Sequence, residues 1–210
     1  MPRLSTALLT SLILAVAPTT FVACSTPGYK KADSAADNMR SAEGAADALL
    51  MSAQNAQTFA NSLQAGELKA MFPKFEKEVD TFESNLKRLR GSISSVRSST
   101  NQYVASLQKT QESISSSDLK AKTDSRISNI SVQLADIDGI AGNADSIATE
   151  VLSGLSDLRT FLRADLSARA VTDSAPTRKA IDSSIARLGT ALNALKKELA
   201  DVETAIGSDA

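Results

Sequence analysis

Residues 68–114 read LKAMFPKFEKEVDTFESNLKRLRGSISSVRSSTNQYVASLQKTQESI, and this stretch decides the fold. Within it Leu68, Phe72, Phe75, Val79, Phe82, Leu86, Leu89, Ile93, Val96, Thr100, Tyr103, Leu107, Thr110 and Ile114 recur at alternating steps of four and three. A strand would alternate every second residue, so the spacing predicts one helix with a heptad seam, about 70 Å long at ~1.5 Å per residue. So long a helix is not stable alone in water and needs partners along its apolar stripe.

The flanking sequence supplies three. A first helix is predicted from Lys30 to Gln64, with a seam that is mostly alanine: Ala32, Ala35, Met39, Ala42, Ala46, Leu49, Ala53, Ala56 and Ala60. Alanines bury little area each but allow close axial approach. Ala65-Gly66 breaks the chain, and the long helix starts near Glu67, with Pro73 close to its beginning. Ser115-Ser116-Ser117-Asp118 offers N-cap residues for a third helix, from Leu119 to Val171. Ser174 is the expected N-cap of a fourth, which carries Ile181, Ile185, Leu188, Leu192, Leu195, Leu199 and Val202. The expected architecture is all-α, a long antiparallel coiled-coil bundle of four helices over residues 30–210.

Short turns make successive helices antiparallel. Reflected through Ser117, the basic run Lys87, Arg88, Arg90 and Arg97 falls opposite Asp136, Asp138, Asp145 and Glu150. The same reflection sets Gly139, Ala141 and Gly142 beside Leu86, Leu89 and Ile93, predicting a narrow waist. The first helix is then expected to reach the level of Gln102 and the fourth only that of Gly142. Residues 103–131 would project as a two-helix hairpin about 20 Å beyond the rest. Its charges Lys109, Lys120, Lys122 and Arg126 are candidates for touching lipid headgroups or a membrane-bound partner.

The N-terminus has the form of an export signal. Arg3 is followed by an apolar run, residues 7–17, too short to span a bilayer comfortably. The run leads to Phe21-Val22-Ala23-Cys24, which resembles the bacterial lipoprotein box, with Phe where Leu is usual. That resemblance implies a cut after residue 23 and lipidation of Cys24, with residues 24–29 as a tether. Ser25 after the Cys, by the same likeness, implies the outer membrane and a periplasm-facing chain. An ordinary secretory signal with a stray Cys is the plainer alternative.

Composition excludes several functions. Lys and Arg number 23 against 24 Asp and Glu, so no basic patch points to nucleic acid. With no His and one Cys, the usual metal ligand, the usual neutral-pH base and any internal disulfide are missing. No phosphate-binding loop, metal cluster or nucleophile–base pair is present. The expectation is a protein without cofactor, metal or catalysis.

At residues 161–170, FLRADLSARA, the chain resembles a family of uncharacterised bacterial helical lipoproteins known only as a domain of unknown function, DUF2959. The layout is similar too: a lipid-type signal, a Tyr soon after the Cys, a long heptad hairpin, this segment and a final helix. The resemblance implies a helical fold and an envelope location, and transfers no active site. Within the segment, Arg163 and Arg169 near a helix end suit the helix dipole, and are candidates for docking a partner at the end away from the anchor. The expected function is a lipid-anchored, structural or protein-interaction module of the cell envelope, held to the membrane through Cys24, with an envelope protein or a second copy as partner. The alternative is a periplasmic carrier or chaperone whose bundle opens for an apolar ligand or an unfolded client.

Overall fold

The computed structural model describes residues 28–63 and 67–207. Four long helices form the body: α1 (Gly28–Ser62), α2 (Leu68–Ser113), α3 (Ser117–Ala164) and α5 (Ala175–Ile206), with a short α4 (Ala168–Asp173) between the last two. Around the bundle α1 packs on α2 and α5, and α3 packs on the same two, so the helices alternate in direction without a crossover. The described residues contain no strand.

The heptad seams make the core. Phe75, Val79, Phe82, Leu86 and Val96 of α2 lie buried with the alanine face of α1 and the leucines of α3 and α5. A single apolar cluster runs the length of the four-helix body. Thr100 occupies a seam position of α2, wholly buried, and its hydroxyl has no hydrogen-bond partner. A buried polar group left unbonded costs about 1–3 kcal/mol, and valine has the same shape. Thr100→Val is expected to stabilise the protein by about 1 kcal/mol, read as a higher urea midpoint at unchanged slope.

The structure corrects the expected boundaries. α1 begins at Gly28, so Gly28 and Tyr29 are helical and are not tether. α3 stops at Ala164 instead of running to Val171, because Asp165 is extended and Ser167 starts a new helix, its side chain accepting a hydrogen bond from the Ala170 amide. Burial of Ala170 and Val171 holds that corner against the body. Ser174 does not cap α5 with its side chain; its hydroxyl donates to the Val171 carbonyl instead.

That early stop moves α5 along α3. The end of α5 reaches Arg126, not Gly142: Arg126 Nη2 donates to the Ile206 carbonyl at 2.6 Å. On the other side Gly28 reaches Ser106, whose Oγ would lie 3.8 Å from a Cβ at that glycine. The free hairpin is therefore shorter than expected, about residues 107–125, and rises ~13 Å beyond the four-helix body.

The expected waist is absent. A Cβ added at Gly91, Gly139 or Gly142 would meet nothing within 4 Å. These glycines are exposed, and Gly142 lines a shallow groove between α2 and α3, where a close approach had been expected.

Candidate functional site

Three surfaces hold the residues singled out from the sequence. At the hairpin end, Ser116 caps α3 by accepting from the Leu119 amide, which fixes the turn, and Lys122 pairs with Asp118 at 3.2 Å. Lys109 and Lys122 are exposed and Lys120 is half-buried. Arg126 sits one turn beyond Lys122, in the same open groove at the hairpin's base, its guanidinium carbon 5.7 Å from the centre of the Tyr103 ring. It satisfies the last carbonyl of α5 and adds a cation where the helix dipole favours one. Burial raises the Tyr103 pKa above the ordinary phenol value, against the opposing field of Arg126. Cys24, the proposed lipid site, lies outside the described residues.

At the opposite end Arg163 reaches back to Glu76 of α2, and Arg159 bonds Asp80 at 2.7 Å. Both arginines tie α3 to α2. Arg169, by contrast, is 89% exposed along its side chain and, among the described residues, pairs with Asp173 alone, at 3.7 Å. Around this corner Phe161 is exposed, and with Asp157, Leu158, Asp173, Ser174 and Thr177 it lines an open groove of about 220 Å³.

Sequence reasoning missed Arg178, which organises this corner by donating to the carbonyls of Val171 and Ala60 at 3.0 and 3.3 Å. Its signal was position: a cation in the first turn of a helix opposes the dipole, so it needs acceptors elsewhere.

The third surface is the α2–α3 groove of about 240 Å³, with Leu89, Ile93 and Ala141 as its floor. Arg90 bonds Asp145 at 2.5 Å and Arg97 bonds Asp138 at 2.7 Å across it. Each aspartate holds its arginine's pKa above the usual value through the hydrogen bond. The expected meeting of charges occurs at these two pairs. Lys87 instead pairs with Glu83 of its own helix. Glu150 faces α5, bonding Ser184 and Arg187, and the Ser184 bond first and Arg187 second lower its pKa.

Between α1 and α5, Glu43 has its carboxyl pushed above the ordinary range. Burial is the main cause, followed by Glu203; Asp47 adds to it, and Lys196 and Arg40 oppose it. Because the folded state raises this pKa, the ionised form at neutral pH works against folding, and stability from this group falls as pH rises through the folded value.

Among the described residues, no group of three or more His, Cys, Asp or Glu is placed to hold a metal. No helix there is long and apolar enough to cross a membrane. Searches among curated proteins and among solved structures find no match. A family profile described as "Protein of unknown function (DUF2959)" matches residues 21–207, nearly the whole chain. This helical protein therefore belongs to the DUF2959 family.

Proposed function

We propose that this protein is a lipid-anchored, periplasm-facing module of the cell envelope that works by presenting a helical surface to another protein, not by catalysis. One observation carries the reading: α1 begins beside Ser106, at the hairpin end of the bundle. A lipid on Cys24 would hold the molecule by that end, leaving the corner at 161–173 roughly 55–60 Å away along α2. Phe161 presents an exposed apolar group and Arg169 an exposed cation at that far corner. The carrier alternative draws no support from the core, where Phe72, Phe75 and Phe82 are buried beside the alanine face of α1.

Arg169 is the cleaner probe of docking, because Arg163→Glu would set two carboxylates together at Glu76 and loosen α2 from α3. A photo-crosslinker at Arg169 in cells is expected to capture one discrete protein, while the same group at Gln111 or Lys120 is expected to capture lipid. No adduct at Arg169 would count against docking at this corner. In the same cells Cys24→Ser is expected to move the protein from the membrane to the soluble fraction; retention would refute the anchor.

A further inference from the structure

The start of α1 and the free hairpin share one end of the bundle, and their reaches match. From Ser106, where Gly28 sits, α2 continues for seven residues to Ser113, a rise of ~10 Å, and the turn at 114–116 lies just beyond. Between Gly28 and Cys24 there are four residue steps, which span at most ~14 Å in any conformation. We propose that when Cys24 carries lipid, the turn at 114–119 seats in the headgroup layer of the same membrane, making the hairpin tip a second point of attachment. The proposal rests on the lipid anchor argued above and adds how the bundle stands on it.

The argument is geometric first. Acyl chains on Cys24 must lie in hydrocarbon, so Cys24 itself lies at the interface, a layer about 5–7 Å thick on each side of the bilayer core. A bundle standing on so short a tether brings its turn to the level of Cys24. A less extended tether drives the turn deeper. The turn stays in water only if the rod tips onto its side.

The side chains at the tip suit that layer. Leu119 is 52% exposed in the first turn of α3, Ile114 is half-buried, and Ser113, Ser115, Ser116 and Ser117 surround them with hydroxyls. The positive charges do not dominate: Lys109, Lys120 and Lys122 are offset by Glu112, Asp118 and Asp124. Contact held by geometry and an apolar side chain, and not by charge, should survive salt that screens exposed ions.

The test uses the full chain, exported and processed in cells, with Leu119→Cys, Val132→Cys or Arg169→Cys. Cys24 is the only native cysteine, so once it is acylated the introduced thiol is the one that labels. Each protein, its lipid confirmed by mass, is labelled with an environment-sensitive dye and placed in vesicles of three parts phosphatidylethanolamine to one of phosphatidylglycerol. The dye at 119 is expected to shift to the blue and to resist iodide quenching at least threefold more than the dye at 169, in both 0.1 M and 0.5 M salt. Val132 lies ~25 Å up α3 from the turn and should behave like 169. Quenching at 119 equal to that at 169, in protein that carries lipid, would overturn the tip contact while leaving the anchor intact. Equal protection at 119 and 132 would overturn it as well, since the rod would then lie flat. A mass without lipid on Cys24 would remove the anchor itself and the tip contact with it.

Discussion

Phe82→Ala is expected to cost about 3–5 kcal/mol of unfolding free energy, at the upper end for a large-to-small change. The ring is fully buried about a third of the way along α2. What sets the size of the loss is how far the surroundings can close on the space left behind. α2 packs most extensively on α1, and α1 lines its core face with Ala42, Ala45, Ala46, Ala53 and Ala56. Alanines have no rotamers with which to lean into a cavity, so the void persists and its lining loses dispersion contacts. Leu192→Ala on α5 removes a smaller side chain from the same apolar cluster, leaves a smaller void and should cost nearer 2–3 kcal/mol. Urea unfolding of both variants decides the matter. Met51→Ala, at a side chain 63% exposed, is the control and should stay within about 0.5 kcal/mol of the parent. A Phe82→Ala loss no larger than that of Leu192→Ala would refute the idea that alanine seams cannot heal.

The seams themselves were legible because a buried stripe on a long helix leaves a period of three and four that little else produces. Register between α2 and α3 was nearly legible too. Reflection through the turn sets Arg90 against Ala144 and Arg97 against Ile137, and the actual partners are Asp145 and Asp138, one residue on. A tight turn fixes register by geometry alone, so little can intervene.

The corner at 165–174 was not legible, for the opposite reason. Nothing between Ala164 and Val171 is a Gly or Pro, and local propensity favours continuing the helix. The stop comes from tertiary structure: Ser167 caps a new turn, Ala170 and Val171 are buried, and Arg178 draws carbonyls from two other segments. Every residue of α5 then moves along α3, so one missed corner misplaced a whole helix.

The candidate docking residues show a similar limit. Arg126, Arg163 and Arg169 look alike in the sequence, as cations on helix surfaces. In the structure one closes a helix end, one crosses to another helix and one stands in solvent. A single sequence marks where cations lie but not which carbonyl or carboxylate comes within reach, since that depends on the path of a different helix.

Placement of α5 on α3 gives the second large effect. Gly154→Leu is expected to destabilise the protein by about 3 kcal/mol, near the top of the usual cost of overpacking. A Cβ at this position would lie 2.9 Å from Cγ1 of Ile181. That carbon is bonded directly to the Ile181 Cβ, on a branched side chain with little freedom at χ1, so it cannot swing aside as a chain end would. The first turns of α5 would have to back away from α3, pulling Arg178 from the carbonyls it satisfies. Gly142→Leu tests the reasoning in the other direction. There an added Cβ meets nothing within 4 Å, and replacing a helical glycine should stabilise by up to about 1 kcal/mol. If the clash is the cause, Gly154→Leu combined with Ile181→Ala will lose less than the two losses added, since adjacent substitutions that share one space are not independent. Strict additivity, or a Gly154→Leu protein as stable as Gly142→Leu, would mean that the glycine does not set how closely α5 approaches α3.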